Sequence, residues 1–243
     1  MNSSPIGGVS GEGITTQVGI NQPKLDPSDE KVLCAAMCFC EATPNISKDG
    51  KSLKQSCVDQ RLRELDSVFV AHGGRSSYRP EVSYDMTKAP PVPILDRDGV
   101  NKHRYVPGWI KKYWAEDLEH PPFERGEGMI RRPDVIIVRD PRKPPSQDNI
   151  KMVVEMKFPP DELKDEQEAD YVRIAGSKAK LEIMGPDRCN CEQVKEEVSV
   201  PFEALDGLIE KGVELLWVLS RGKMPRLPRV PRTPRTPRPA PAH

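Results

Sequence analysis

Apolar positions along the chain fall into two patterns. Near the amino end they recur at helical spacing; further on they close up into short β-branched runs. Asp26-Pro27 reads as a helix start, an N-cap candidate followed by proline at the first helical position. The run SDEKVLCAAMCFCEAT continues that helix to Pro44, which stops it. Residues 52–70 predict a second helix with Leu53, Cys57, Leu62 and Leu65 as apolar positions. Residues 74–107 are rich in Gly, Pro, Ser and Asp and predict loop with one short strand. PGWIKKYWAEDLE, residues 107–119, predicts a short helix carrying Trp109, Ile110, Tyr113 and Trp114.

The pattern then changes period. Asp134-Val135-Ile136-Ile137-Val138 is a buried strand by composition. DPRKPPSQDN is dense in turn residues, and Lys151–Phe158 (KMVVEMKF) predicts the returning strand, ended by Pro159-Pro160. Asp161–Met184 predicts one long helix before Gly185-Pro186, and Val213–Leu219 a last strand. The order helix, strand pair, helix, strand is an α/β arrangement.

The ends differ from this body. The first 25 residues are rich in Gly, Ser, Thr and Asn without periodicity and read as a flexible arm. The formal net charge of zero hides a segregation. Arg221 to His243 holds seven basic and no acidic residues, leaving 30 basic against 37 acidic residues upstream. A polyproline II conformation would align Arg226, Arg229, Arg232, Arg235 and Arg238 on one edge at about 9 Å spacing. That edge suits a phosphate backbone, an acidic partner or a proline-binding module; a disordered, solubilising tail fits equally. The expected division is an arm (1–25), a helical Cys-containing part with the first core helix (26–125), a core (126–220) and a basic tail (221–243). No apolar run reaches membrane-spanning length, and the amino end has no Sec signal pattern.

Candidate chemistry sits on the KMVVEMKF strand. At period two, Met152, Val154, Met156 and Phe158 share one face, and Val153, Glu155 and Lys157 the other. A lone E-x-K is most often a strand with one wet face. Here a hairpin would also bring Asp134, after Arg131-Arg132-Pro133, beside Glu155. Two carboxylates form a hard-oxygen site for Mg²⁺ or Mn²⁺ with positions open for phosphate, and Lys157 would orient an attacking water or stabilise charge. Gln167 and Tyr171 lie at i, i+4 on the next helix, with Lys178 two turns on. Arg131, Arg132, Tyr171 and Lys178 are candidate nucleic-acid contacts; for Tyr171 and Lys178 a solvated helix face is an equal reading.

RRPDVIIV followed by VVEMKF resembles the PD-(D/E)XK nuclease superfamily, more closely its VRR-NUC branch, and within it toxins of bacterial type VI secretion systems. The resemblance covers residues 131–180 best. It implies a restriction-endonuclease-like core, a small mixed sheet flanked by helices, between disordered end segments. It implies that Asp134, Glu155 and the Met156 carbonyl ligate the divalent ion, with Lys157 and Gln167 catalytic. An acidic residue on the first core helix would join them: Glu41, with Asp59 and Glu64 as alternatives. The implied activity is cleavage of double-stranded or branched DNA. The implied biology is a toxin made in the cytoplasm, exported by type VI machinery, acting in a target cell and blocked by a cognate immunity protein. A junction-resolving repair or phage enzyme, and a non-catalytic module binding through the basic tail, are the rival expectations.

Six cysteines, Cys34, Cys38, Cys40, Cys57, Cys189 and Cys191, suit a structural Zn²⁺ site or disulfides if the protein passes through an oxidising compartment; small buried side chains are the plainer reading. His72, His103, His120 and His243 read as loop or surface residues. The sequence contains no H-E-x-x-H, P-loop or G-x-S-x-G motif.

Overall fold

The computed structural model describes residues 25–191. Most of the amino-terminal arm, the Val213–Leu219 strand and the arginine-proline tail lie outside the described residues. The described elements are α1 (Pro27–Ala42), β1 (Asn45–Ile46), β2 (Ser52–Leu53), α2 (Lys54–Ala71), β3 (Tyr78–Pro80), β4 (Tyr84–Asp85) and β5 (Val92–Pro93). Then follow α3 (Val106–Tyr113), β6 (Ile130–Arg131), β7 (Val135–Val138), β8 (Ile150–Met156), α4 (Asp165–Ala175) and β9 (Leu181–Met184).

Helix α1 starts where expected. Pro27 occupies its first turn, and Asp29 and Glu30 face the positive end of the helix dipole. From Val32 to Cys38 every residue is buried, so this helix packs on more than one side. Helix α2 buries Cys57, Val58, Leu62 and Leu65, whereas Leu53 is exposed and precedes the helix in β2. The two helices lie on one face of the main sheet with Val135, Ile137, Met152, Val154, Met156, Phe158 and Met184. On the other face Ile136, Val138, Ile150, Val153 and Leu181 pack with Tyr171, Ile174 and Ala175 of α4. The period-two division of the KMVVEMKF strand is therefore realised in the packing.

The main sheet has the order β3-β7-β8-β9. β7 is antiparallel to both β3 and β8, with Val135 opposite Val154 and Ile136 opposite Val153. β9 runs parallel to β8, with Glu155 opposite Ile183, and α4 makes the crossover that parallel pairing requires. A second, three-stranded sheet has the order β5-β4-β6.

Three expectations change. The long helix over 161–184 is instead α4, a 3₁₀ turn at Lys178–Lys180, and β9. Gly176, at φ 77°, adopts the left-handed conformation that ends helices, and the apolar LEIM after it pairs as a strand. The segment 74–107 holds three short strands, not one, and β3 is a core strand, so the main sheet draws on both sides of residue 125. The cysteines form disulfides rather than a Zn²⁺ site: Cys34–Cys189, Cys38–Cys191 and Cys40–Cys57. No described cysteine is left to ligate a metal.

The first two disulfides close loops of 155 and 153 residues and tie α1 to the segment after β9. Cross-links over such spans remove denatured-chain entropy, typically about 2–4 kcal/mol each. Reduction with excess dithiothreitol should therefore lower the urea midpoint markedly. An unchanged midpoint would mean that the bonds do not brace the native state.

Candidate active site

The site forms where β7 begins and β8 ends. Antiparallel pairing places Asp134, just before β7, beside the end of β8, and the Met156 N–H donates to Asp134 Oδ2 at 2.7 Å. Glu155 points to the α4 face of the sheet and is only 2% exposed. Lys157, just past the strand, donates from Nζ to Glu155 Oε1 at 2.9 Å. Helix α4 closes the other side. Gln167 Nε2 donates to Glu155 Oε1 and to the Tyr171 hydroxyl, each at 2.8 Å, and its Oε1 stands 3.5 Å from Lys157 Nζ. The Tyr171 hydroxyl donates in turn to the Arg132 carbonyl at 3.2 Å.

This network is one-sided. Both donors reach Oε1 of Glu155, while Oε2 is buried without a hydrogen-bond partner. A buried carboxylate oxygen in that state is costly unless a cation meets it. The neighbouring Asp134 is under related stress. Burial, then repulsion from Glu155, push its pKa up to about 8, against the Met156 N–H and Lys157, which favour the ionised form; Glu81 adds further repulsion. Two adjacent carboxylates held in low dielectric, one with an unpartnered oxygen, fit a hard divalent ion. Among the described residues no group of three or more His, Cys, Asp or Glu converges for a metal, so a third protein oxygen would have to be a carbonyl or an amide.

One amide already marks the convergence. Gln55, in the first turn of α2, donates from Nε2 to the Met156 carbonyl at 3.1 Å and to Asp134 Oδ2 at 3.4 Å. A single nitrogen thus bridges two of the oxygens expected at an ion. The acidic residues expected from the helices each have a cationic partner. Glu41 is paired with Lys54, Asp59 with Arg63 and Lys102, and Glu64 with Arg61. Glu81, after β3, is the other neighbour not read from sequence. Its N–H donates to the Asp134 carbonyl at 2.9 Å, and its carboxylate pairs with Arg132 at 3.2 Å. Glu81 adopts φ 54°, left-handed backbone that L residues rarely adopt. A cleft of about 460 Å³ bordered by Gln55, Glu81 and Asp161 opens beside this corner.

The expected nucleic-acid contacts separate into two kinds. Tyr171 is buried and props Gln167, and half-buried Arg131 is paired with Asp170. Arg132 and Lys178 keep exposed side chains, paired with Glu81 and Glu168. His120, expected in a loop or at the surface, lies in a loop with its side chain enclosed and bonded to Asp85 at 2.7 Å.

Residues 110–186 match the family model of the VRR-NUC domain. Those residues, about a third of the chain, are similar to a VRR-NUC domain. A VRR-NUC domain is a PD-(D/E)XK-like nuclease domain of restriction-endonuclease-like fold, and such a domain implies a nucleic-acid substrate. No curated protein and no solved structure matches the chain. The VRR-NUC match contains Asp134, Glu155, Lys157 and Gln167; Gln55 and Glu81 precede it, yet the fold brings them to the same corner.

A raised carboxyl pKa sets the sign of a pH effect. Native Asp134 keeps its proton up to about pH 8, whereas the unfolded chain releases it near pH 4, so stability falls as pH rises between those values. In chelator, Asp134→Asn should flatten this decline in a urea titration across pH 5–8. An identical slope in the variant would place the proton elsewhere.

Proposed function

We propose that this protein is a divalent-metal-dependent endonuclease that hydrolyses DNA phosphodiester bonds at the Asp134–Glu155–Lys157 corner. The carrying observation is the orphaned Oε2 of Glu155 beside Asp134. Asp134, Glu155 and the Met156 carbonyl would hold Mg²⁺ or Mn²⁺. When bound, the ion supplies Lewis-acid charge at the scissile phosphate. Lys157 lies within hydrogen-bond reach of Glu155 and can donate to an incoming water or to the phosphate oxygens. Gln167 holds Glu155 Oε1, which leaves Oε2 facing the ion, and Tyr171 fixes the Gln167 amide. The basic tail would add sequence-independent attraction to the DNA backbone.

The biological reading that fits best is an antibacterial toxin exported by a type VI system and neutralised by a cognate immunity protein. Its support is the resemblance of the RRPDVIIV to VVEMKF stretch to such toxins, together with the three disulfides. Cross-linked cysteines suit a chain exposed to an oxidising compartment on its route and fit poorly with a cytoplasmic junction-resolving enzyme.

Plasmid cleavage by the purified chain should require Mg²⁺ or Mn²⁺. Asp134→Ala and Glu155→Ala should each reduce it at least about a thousandfold, since the electrostatic terms they support are worth several kcal/mol. Cutting that persists in chelator, or in both variants, would sink the proposal. In a bacterial host the wild type should arrest growth and the Glu155→Ala variant should not.

Gln55 gives a second test, read by calorimetry rather than turnover. Gln55→Glu adds a third negative charge at the corner and should tighten Mn²⁺ binding by about tenfold. Gln55→Ala should weaken it if the amide turns its oxygen to the ion. Equal affinities in all three forms would remove Gln55 from the metal site.

A further inference from the structure

Helix α3 is peripheral: none of its residues is fully buried. Its chemistry is also unlike that of the surrounding surface. From Gly99 to Ala115 there is no acidic residue, while Arg104, Lys111 and Lys112 are exposed. Trp109 and Tyr113, four residues apart, share one side of the helix about 6 Å apart in rise, and Tyr105 precedes them at the N-cap. Tyr105 is 66% and Tyr113 37% exposed. The Trp109 and Tyr113 rings lie 6.1 Å apart and tilted by 48°. Lys112 Nζ sits 4.7 Å from the centre of the Tyr113 ring. The Tyr105 ring lies so close to Gly108 that a Cβ there would come within 2.4 Å of it.

The next residue shows what this chain does with an aromatic it uses for packing. Trp114 is buried, stacks on His120 at 4.2 Å and donates its indole N–H to the Pro121 carbonyl at 2.7 Å. It anchors the end of α3 to the protein and leaves Tyr105 and Tyr113 exposed, with half-buried Trp109 edge-on to it at 6.4 Å. Aromatic rings in solvent with interleaved cations form the combination that holds single-stranded nucleic acid, with bases stacked on rings and phosphates met by lysine and arginine. The ring spacing is nearly twice the ~3.4 Å per-strand repeat of a stacked duplex, so it suits unstacked nucleotides and not a paired helix. Lys112, displaced from Tyr113 by an incoming base, would be placed to meet the adjoining phosphate.

We infer that the Tyr105–Trp109–Tyr113 edge of α3, with Arg104, Lys111 and Lys112, is a docking platform for a single-stranded segment of the nucleic-acid substrate. The inference rests on the nuclease reading for the class of ligand. It goes beyond that reading in assigning the contact with an unpaired strand to this face of the protein. The platform straddles the start of the VRR-NUC match: Arg104, Tyr105 and Trp109 precede it, and Lys111, Lys112 and Tyr113 lie within it.

The test is fluorescence anisotropy with the full chain in chelator, against a labelled 20-nucleotide oligo-dT and a blunt duplex of equal length. Trp109→Ala/Tyr113→Ala should weaken oligo-dT binding at least about tenfold, given the usual worth of a base–aromatic stack, and duplex binding much less. Lys111→Glu/Lys112→Glu should weaken it too, and lower the slope of log affinity against log salt by about 1.4, for two phosphate contacts. Far-ultraviolet circular dichroism and the urea midpoint check that each variant is folded. Oligo-dT affinities within twofold of wild type in both variants overturn the platform. Variants that keep the strand but escape an immunity protein assign the face to a protein partner, which overturns it equally. Cleavage with Mg²⁺ separates the two claims. Normal cutting with indifferent strand binding removes only the platform; α3-dependent strand binding without cutting in the wild type removes only the nuclease.

Discussion

Two carboxylates side by side in low dielectric repel each other, and each loses hydration that the protein must replace. The β7–β8 pairing imposes that arrangement on Asp134 and Glu155, and much of the local structure responds to it. The Met156 N–H and Gln55 satisfy one oxygen of Asp134, and Lys157 and Gln167 satisfy one oxygen of Glu155. Tyr171 serves the same end at one remove by fixing Gln167. The compensation stops one oxygen short, at Glu155 Oε2. A site balanced in this way gains from a cation what an ordinary buried ion pair already has. Under the proposed metal-dependent function, catalytic competence and metal-free stability are opposed at the same two residues.

The scaffold is built so that this opposition is tolerable. β7 and β8 are buried on both faces, by α1 and α2 on one side and α4 on the other. The strands that carry the carboxylates cannot relax without disturbing two packed layers. Gln55 reaches the site because α2 begins directly at it, and the Cys40–Cys57 bond ties α2 to α1 two residues further on. The first turn of α2 is thus held from below by a covalent bond and from above by the site's own hydrogen bonds.

How much of this could be read in the sequence follows from how far apart the partners lie. Glu155 and Lys157 were legible because strand period alone puts both on one face, and Gln167 with Tyr171 because helix period does the same. Asp134 was legible because a hairpin is a local structure. Gln55 was not: its partners lie 79 and 101 residues away, and a glutamine in the first turn of an amphipathic helix carries no signal of its own. Glu81 sits among strands of two and three residues, too short for any periodicity to register. The helix drawn through to Met184 was an error with a visible sign, since Gly176 is a helix stop and LEIM after it reads as a strand. The disulfide pairing had no sign at all, because six cysteines admit fifteen connectivities.

The two long disulfides also decide how the body bears force. Cys34 and Cys38 lie on the first described helix, and Cys189 and Cys191 close to the last described residue. Tension applied along the chain from both directions would pass from α1 straight across these bonds and bypass everything enclosed between them. The sheet, the paired carboxylates and α3 all sit inside that covalent ring, mechanically in parallel with it. Pulling the protein through a narrow channel could not unravel the site until the thiols were freed, whereas a cut in any loop between Cys38 and Cys189 would leave both pieces attached. Transit through a pore thus becomes a question of redox chemistry before it is one of folding stability.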